Sequence, residues 1–388
     1  MPFAAAVSEH PLATHAVGEV VGHILDEIGD QPDAAIVFVT EPFAGATEDI
    51  AATIRATLRP GSLIGATASS VVGGGREVEN TAAISLFAMR LGPRRRAPRT
   101  GTTHAVMFQG ERHGDGWQVT ADADVAQRNA TLVLLADPFS FPVDAFVEDL
   151  VARAPGMTVV GGLASAASGP GGNRLVADGL TIDRGAVGLL LPPGLATTAV
   201  VSQGCRPVGE PLVVTKARGT MIEEIAGQRA LDRLMVQADE ATPEVRSRMA
   251  RGLQLGIVVD EHKVDFDRGD FLIRPVLGAD HERGALAVGS EVDVGTTVQF
   301  QVRDAASADE DLRDLLADAT GHAALVFTCN GRGTALFGEP HHDASVVHDH
   351  VDGGATAGMF CAGEIGPVAG RHFVHGMTAS VLLLEDPT

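Results

Sequence analysis

Polar residues that could bind a ligand follow short apolar segments in the C-terminal part of the chain. Cys329, Asn330 and Arg332 come just after the apolar segment 324–327, and Glu364 follows a second apolar segment that ends at residue 361. Ligands of α/β proteins bind at such strand ends, because backbone groups are free there and side chains converge. The expected ligand-binding residues are Arg274, Cys329, Asn330, Arg332, Cys361, Gly363, Glu364 and His375.

Arg274 and Arg332 indicate a class of ligand. Arg274 is expected to end an apolar strand, and an arginine at a strand end can hold a carboxylate through two parallel hydrogen bonds. Glu364 would then be available for an ammonium group, so the pattern suits a small acidic or amino-acid ligand. The alternative is a buried Arg–Glu ion pair with no ligand.

The cysteines allow a second chemistry. Cys329 or Cys361, together with His375 and Glu364, could form a nucleophilic Cys–His–acid set. Free cysteine more commonly packs as a small buried hydrophobe, and no local signature of a catalytic cysteine is present. We therefore expect no enzyme, with a thiol-dependent enzyme as an alternative.

Histidines concentrate near the C-terminus and raise the question of a metal site. On a helix His348 and His350 would point to nearly opposite sides, and no HExxH motif is present. Residues 341–350 are interpreted as an exposed His-rich loop, and no metal is expected. The glycine runs 73–75 and 169–172 match neither GxGxxG nor a Walker loop, so tight turns are expected there rather than nucleotide-binding loops.

Charge limits the classes of partner. The formal net charge of −21 disfavours nucleic acid, whose phosphates need clustered Lys and Arg, and disfavours an anionic membrane surface equally. The basic cluster at 94–99 is punctuated by Pro93 and Pro98, so we interpret it as a solvated linker.

Cysteine usage and hydropathy bear on the compartment. The chain has three cysteines without CxxC spacing, which supports neither a disulfide framework nor a zinc ribbon and indicates a reducing, cytoplasmic setting. Residues 1–10 lack a basic signal-peptide start. The apolar region 186–201 is interrupted by Pro192, Pro193 and Gly194, so it is expected to form a buried strand pair rather than a membrane span.

The elements that position these residues follow a recurring order. Helices are expected at 17–28 and at 47–58, the second with Thr47 as its N-cap. A strand–helix–strand–loop–strand order begins at residue 34, recurs from residue 131 and begins again at residue 324. The first two copies align at a constant offset, since 138−42, 139−43 and 161−65 all equal 96, and 329−137 is twice that value. Three copies of one unit are therefore expected.

The segment between the second and third copies differs from them. It is expected to hold a helix at 230–237, a linker or helical lid at 239–251, several strands, and a helix at 309–320 that leads into the third copy. Together these patterns predict an α/β protein of two domains, in which repeated strand–helix–strand–loop–strand units form mixed sheets covered by helices.

Several motifs together resemble the FIST family of sensory proteins in signal transduction. In the N-terminal half they are LIGATASSVVGGGREVE, VVGGLAS, GAVGLLL and SQGCRPVG; in the C-terminal half they are CNGRG, GMFCAGEIGP and a following His-x-x-Thr. The family usually has an amide residue between that His and Thr, where this chain has Gly376 and Met377. The resemblance implies a lead-in at 1–30, an N-terminal domain with two repeats at 31–218 and a C-terminal domain at 219–388.

The resemblance also implies a function. We expect a non-catalytic cytoplasmic sensor that binds an amino acid or related metabolite and signals through a separate protein such as a kinase. One alternative is a haem-bound sensor of a gas such as nitric oxide, because some relatives bind haem, although no CxxCH motif is present. The thiol-dependent enzyme is a second alternative, and a scaffold without a small ligand is a third.

Overall fold

The computed structural model describes residues 2–91, 103–114 and 116–386. The basic cluster at 94–99, interpreted from sequence as a linker, lies outside these residues. The chain divides into two compact units that do not follow sequence order. The first unit comprises Met1–Val201, Leu312–Pro367 and His372–Thr388, and the second comprises Ser202–Asp311 and Val368–Arg371.

The helices cover the faces of the sheets. In chain order they are α1 (Ala13–Ile28), α2 (Thr47–Thr57), α3 (Val143–Arg153), α4 (Ala230–Glu240), α5 (Pro243–Arg251), α6 (Ala305–Ala317), α7 (Thr334–Phe337) and α8 (His342–His350). Short 3₁₀ turns occupy Glu41–Ala46 and Arg268–Asp270.

Strands make up most of the ordered backbone. The first half of the chain contains β1 (Phe3–Ser8), β2 (Ala34–Thr40), β3 (Ser62–Ala68), β4 (Ser70–Gly73), β5 (Arg76–Glu79), β6 (Ile84–Met89), β7 (His104–His113), β8 (Gly116–Ala121), β9 (Thr131–Ala136), β10 (Thr158–Leu163), β11 (Leu175–Ala177), β12 (Leu180–Ile182) and β13 (Ala186–Leu191). The second half contains β14 (Thr197–Gln203), β15 (Cys205–Arg218), β16 (Met221–Ile225), β17 (Gln228–Arg229), β18 (Leu253–Val258), β19 (Phe271–Asp280), β20 (Ala285–Val288), β21 (Thr297–Arg303), β22 (Ala323–Cys329), β23 (Ala355–Cys361), β24 (Glu364–Val368), β25 (Arg371–His375) and β26 (Thr378–Leu384).

The first unit contains three sheets with a common central pattern. Sheet 1 has the order β1-β6-β2-β3-β11-β12, sheet 2 the order β25-β24-β10-β9-β13-β7-β8, and sheet 3 the order β14-β26-β22-β23-β4-β5. Each sheet has a central pair of parallel strands, and the connection between the two strands is helical. Helix α2 connects β2 to β3, α3 connects β9 to β10, and α7 with α8 connects β22 to β23. A later strand returns antiparallel beside the first strand of each pair: β6, β13 and β26.

The hairpin that follows each parallel pair joins a different sheet. Hairpin β4–β5 follows β3 along the chain but pairs with β23 in sheet 3, and β11–β12 follows β10 but pairs with β3 in sheet 1. Hairpin β24–β25 follows β23 but pairs with β10 in sheet 2. The three sheets therefore exchange hairpins in a cycle, and each is completed by backbone from another copy of the pattern.

Three glycines permit this exchange at matching places. Gly65, Gly161 and Gly358 each occupy the fourth residue pair of a parallel ladder and also pair with the incoming hairpin. An added Cβ would lie 2.5, 1.9 and 1.9 Å, respectively, from a carbonyl oxygen of the parallel neighbour, so a side chain does not fit. The neighbouring residues are Val37, Leu134 and Val326.

Apolar side chains on the inner faces of the three sheets form one core, in which Phe38 packs edge-on against Phe327 at 6.1 Å between ring centroids. The outer faces bury separate clusters under α1 and α2, under α3, and under α8.

The second unit is an antiparallel sheet of order β15-β21-β18-β19-β20-β16-β17. Helices α4 and α5 cover one face of this sheet through side chains such as Leu234 and Met249.

The predicted α/β class, with mixed sheets covered by helices in two domains, is confirmed by this architecture. One helix prediction was wrong in detail. Thr47 is not an N-cap, because the preceding 3₁₀ turn runs into α2 and makes Thr47 helical; its hydroxyl donates to Ala44 O at 2.9 Å. Of the two alternatives for residues 239–251, a linker or a helical segment, the helical one is found, because α5 spans Pro243–Arg251 with Thr242 as its cap.

The C-terminal part departs from two further expectations. The helix expected to begin at residue 309 begins at Ala305, because the carboxylate of Asp304 accepts from the backbone N–H of Ser307 at 3.0 Å. Residues 341–350 are not an exposed loop: α8 occupies most of them and buries Val346 and Val347 against sheet 3. No helix in the part of the chain that the structure describes is long and apolar enough to cross a membrane.

Candidate ligand-binding site

The carboxyl ends of β22 and β23 bring the C-terminal polar residues together. Cys329 and Cys361 form the last residue pair of this parallel ladder. The chain then turns tightly, because Arg332 N donates to Cys329 O at 2.9 Å and Asn330 N donates to Cys361 O at 3.0 Å. This turn directs the side chain of Arg332 into the protein, where no part of it is exposed.

Arg332 is held by Asp343 of α8. Its Nε donates to Asp343 Oδ2 at 2.7 Å and its Nη2 to Oδ1 at 2.8 Å, while Thr328 Oγ1 donates to Oδ2 at 2.6 Å. Burial alone would raise the pKa of Asp343, but the guanidinium holds it well below its usual range. The alternative raised from the sequence, a buried ion pair of an arginine, therefore describes Arg332, but its partner is Asp343 of the helix that follows the loop rather than a glutamate.

One guanidinium nitrogen of Arg332 takes no part in the ion pair with Asp343. Nη1 is buried and has no hydrogen-bond partner within the described residues. The guanidinium carbon lies 5.3 Å from the centre of the Phe337 ring, within range of a cation–π contact. Because an unpaired buried donor costs free energy, Nη1 is a place where a ligand atom would stabilise the protein.

Glu364 is the second fully buried side chain with an unpaired atom. Its Oε2 accepts from Thr378 N at 3.1 Å and from Thr378 Oγ1 at 2.8 Å, while Oε1 has no partner in the described segments. Burial raises the pKa of Glu364 to about 8, although the Thr378 donors, Cys329 and Arg332 lower it. At neutral pH the carboxyl is therefore mostly uncharged, so the expected role as a partner for an ammonium group is not supported.

The two cysteines beside Glu364 are protonated thiols at neutral pH. Burial, reinforced by the charge of Glu364, raises the pKa of Cys329 to about 12. Cys361 is fully buried, and burial raises its pKa well above the ordinary value. Cys329 is half-buried as a residue, and its Sγ lies 3.9 Å from Sδ of the buried Met377.

Electrostatic interactions link these groups. The charge of Arg332 lowers the pKa of Glu364, and Glu364 in turn raises the pKa of Cys329. Cys329, Arg332, Cys361 and Glu364, which the sequence analysis assigned to one site, therefore influence one another's pKa values.

Three more of the predicted residues frame the cluster. His375 is buried, and its Nε2 lies 2.9 Å from Gly366 O. Gly363 O accepts from Leu163 N at 2.8 Å, which joins the loop to sheet 2. Asn330 is exposed, and its Oδ1 accepts from Ser69 Oγ at 2.7 Å.

Arg274 is the one predicted residue that does not belong to the first unit. It belongs to the second unit and sits within β19 rather than at a strand end, because the strand continues past Pro275 to Asp280. Its Nη1 donates to Ile273 O at 3.2 Å. The predicted site is therefore built here from the seven residues of the first unit.

Sequence reasoning missed two serines that bring loops from all three sheets to the site. Ser69 N donates to Ser165 Oγ at 3.0 Å, and Ser165 Oγ donates to Phe360 O at 2.6 Å. Ser69 follows β3 and Ser165 follows β10, and 165−69 gives the offset of 96 that the other repeated positions share. That offset was the signal that could have identified them.

Two glutamates of hairpin β4–β5 were also missed. Glu77 accepts from His341 N at 3.0 Å and from Ala344 N at 3.1 Å, so it caps α8. Burial, with Asp343 adding to it, raises the pKa of Glu77 to about 7. Glu79 accepts from Thr334 N at 3.0 Å at the start of α7. Helix ends attract acids in general, but nothing local in the sequence indicates a capping residue so far away along the chain.

The corresponding strand ends of sheets 1 and 2 have their polar groups paired. In sheet 1 the hydroxyl of Thr40 donates to Ala83 O at 3.2 Å and accepts from Ala83 N at 2.7 Å. In sheet 2 the carboxylate of Asp137 accepts from Asn173 Nδ2 at 3.0 Å and from Ser140 Oγ at 2.6 Å. The segments that follow β22 and β23 of sheet 3 are different, because Arg332 Nη1 and Glu364 Oε1 have no hydrogen-bond partner among the described residues.

The histidines bear on metal and haem. No group of three or more His, Cys, Asp or Glu side chains is placed to hold a metal ion in the described part of the chain. His372 is half-buried, its two ring nitrogens are covered and have no hydrogen-bond partner among the described residues, and burial lowers its pKa to about 4. A neutral imidazole is the form that ligates iron, but both nitrogens of His372 are covered, so they would ligate iron only if this segment moved.

Comparison with known proteins identifies the two halves of the chain. A model of the FIST N domain matches residues 33–228, and a model of the FIST C domain matches residues 228–367. An uncharacterized protein of Mycobacterium tuberculosis strain H37Rv is 40% identical over 393 residues, covering 100% of both chains. An uncharacterized protein of Mycobacterium bovis is 38% identical over 393 residues, covering 100% of this chain and 99% of its own.

Proposed function

Because the chain belongs to the FIST family, whose domains are assigned to sensing in signal transduction, we propose that it is a non-catalytic cytoplasmic sensor of a small carboxylate-bearing metabolite. The proposed site is the cluster at the carboxyl ends of β22 and β23. The observation that carries the proposal is the pair of fully buried, unpaired atoms Arg332 Nη1 and Glu364 Oε1.

The chemistry of the two atoms selects the ligand class. Nη1 of arginine can only donate hydrogen bonds, and a protonated carboxyl of Glu364 donates through its O–H. A ligand carboxylate would accept from either group, and it would meet little opposing negative charge because Asp343 is paired with Arg332. An amino acid or a small carboxylic acid has this group.

The position of the site supports a route for the ligand and for the signal. Asn330 is exposed and Cys329 half-buried, so the edge of the cluster reaches solvent while Arg332 and Glu364 lie behind it. Ser69 and Ser165 link loops from sheets 1 and 2 to this edge. A ligand that favours one arrangement of these loops would shift its population, and a separate partner such as a kinase would respond to that shift.

The test is a binding screen of amino acids and small carboxylates by thermal shift, followed by calorimetry. A ligand at about 100 times its dissociation constant stabilises the folded state by about 2.7 kcal/mol. Glu364→Leu removes the hydrogen-bonding group and should abolish binding. Glu364→Gln keeps a donor that does not titrate, so this variant should retain binding with an affinity that does not change with pH.

Glu339→Gln is the matched control, because Glu339 is exposed in the loop between α7 and α8. This variant should bind as the unmodified protein does. The proposal fails if no carboxylate binds, or if a ligand binds Glu364→Leu with unchanged affinity.

A haem-bound gas sensor is the second candidate, favoured by the neutral, unpaired imidazole of His372. Titration with haemin should then give a Soret band that shifts in His372→Ala and persists in the variant of an exposed histidine, His281→Ala. A Soret band that is absent, or is identical in both variants, would remove this candidate.

A further inference from the structure

Within the described residues, the outer face of sheet 2 has one covering helix, α3, where sheets 1 and 3 each have side chains from two helices. In sheet 1 two helices, α1 and α2, pack on the outer face, and in sheet 3 the face is covered by α8 and by Leu312 and Leu316 of α6. Helix α1 directly precedes β2 and α6 directly precedes β22, the first strands of the parallel pairs in sheets 1 and 3. The corresponding strand of sheet 2 is β9, and before it the described chain has hairpin β7–β8 and the segment 122–130 instead.

A cavity of about 320 Å³ lies where the second helix would pack. It is bounded by β7, β8, the segment after β8 and α3. Its apolar wall includes Phe108, Phe146 and Trp117, with Phe108 and Phe146 4.9 Å apart between ring centroids. Trp117 is 45% exposed, which is unusual for so large an apolar side chain.

The hairpin is fixed against α3 in the arrangement that keeps this cavity open. A Cβ added to Gly110 would lie 2.9 Å from Pro142 Cδ and 3.5 Å from Trp117 Cε3, so glycine lets the hairpin approach the start of α3. The indole is thereby held at the wall of the cavity. Its size is at the small end of ligand-binding cavities, and it has the usual combination of aromatic walls and a few polar groups.

The polar groups at this cavity are Asp124, Asp149 and Arg153. Arg153 Nε donates to Asp149 Oδ2 at 2.8 Å, so the charges of these two side chains cancel. The charge of Asp124 is not cancelled in this way, so the polar groups at the cavity carry a net negative charge. The ring of Trp117 attracts cations by its π-electrons. The net charge of −21 of the whole chain adds a long-range attraction for cations.

We propose that this cavity is a second ligand-binding site, which takes a small organic cation with an aromatic body, such as an arylalkylamine. The ring would pack against Phe146 and Trp117, and the ammonium would lie at Asp124 and Asp149. This site is separate from the carboxylate site at sheet 3, and the two ligands have opposite charge.

The protein carries its own reporter for the test, because Trp117 is its single tryptophan and it has no tyrosine. Phenethylamine is the probe, and phenylacetate is a control of similar size and opposite charge. Phenethylamine should change the tryptophan emission in a saturable way, and phenylacetate should bind about tenfold more weakly or not at all. Asp124→Asn should weaken phenethylamine binding and reduce its preference over phenylacetate.

Two exposed alanines of α3 provide a matched pair of variants. Ala145 borders the cavity, whereas Ala152 does not. Ala145→Leu should fill the space and weaken phenethylamine about tenfold or more, while Ala152→Leu should leave the affinity unchanged. The proposal is overturned if phenethylamine leaves the emission unchanged, if phenylacetate binds equally well, or if both leucine variants behave alike.

Discussion

Arg332 and Asp343 form a bidentate ion pair in which neither side chain has any exposed surface. Removing one member leaves an uncompensated charge in the interior, which costs about 3–5 kcal/mol. Asp343→Asn should therefore lower the free energy of unfolding by an amount in this range, measured by urea denaturation.

The control for this prediction is the exposed pair of Arg59 and Asp30. Because water screens it, Asp30→Asn should cost at most about 1 kcal/mol. Equal losses in the two variants would show that Asp343 does not stabilise a buried charge.

Stability should depend on pH through Glu364 and Glu77. Their pKa values in the folded protein are about 8 and about 7, against an ordinary value of 4.5. From pH 4.5 upward the folded state holds more protons than the unfolded state, so the free energy of unfolding falls as the pH rises through this range. Thermal melts from about pH 5 to about pH 8 should show a steady loss of stability.

The variants Glu364→Gln and Glu77→Gln should each flatten this pH dependence, and Glu339→Gln should leave it unchanged. Asp343 acts in the opposite sense, because its pKa is lowered and its contribution is lost as the pH falls below the ordinary value of 3.8. A pH profile of the same slope in the glutamine variants would contradict the assignment.

The three matching glycines should be equally intolerant of a side chain. Ala at position 65, 161 or 358 would press its Cβ against a backbone carbonyl, which cannot move away without breaking the ladder. Each substitution should cost at least about 1–3 kcal/mol, measured by chemical denaturation. Gly18→Ala is the control: no atom lies within 4 Å of the added Cβ on α1, and helix propensity predicts stabilisation of up to about 1 kcal/mol.

The thiols should be unreactive in the folded protein. Cys205 and Cys361 are fully buried, and Cys329, although half-buried, has a pKa raised to about 12. Because the thiolate is the reactive form, labelling by iodoacetamide at neutral pH should be slow until the protein is unfolded. Rapid labelling lost in Cys329→Ser would instead favour the thiol-dependent enzyme.

The sequence predicted local structure better than connections between distant segments. Apolar runs such as 324–327 fix where strands lie, and the residues that follow them mark loops, so the grouping of Cys329, Arg332 and Glu364 could be anticipated. The partner of Arg332 was missed because Asp343 looks like an ordinary acid in a polar segment. Only the fold of α8 against sheet 3 brings it to the guanidinium.

The assignment of hairpins to sheets had no local signal. Residues 70–79 form two short strands directly after β3, and the nearest available partner along the chain would be the sheet of β3 itself. Their pairing with β23 depends on the shape of the completed core, where Gly358 leaves room for them. Arg274 is a second example, since the sequence predicts the strand that contains it but not the compact unit to which that strand belongs.

The exchange of hairpins has a consequence for the synthesis of the protein. Strand β4 emerges early from the ribosome, but its partner β23 spans Ala355–Cys361, and β26 follows still later. Pairings of such long sequence separation form slowly and leave strand edges exposed until they do. The edge of β4 must therefore stay unpaired until β23 has been translated, so we expect cotranslational chaperone binding to concentrate on residues 70–79.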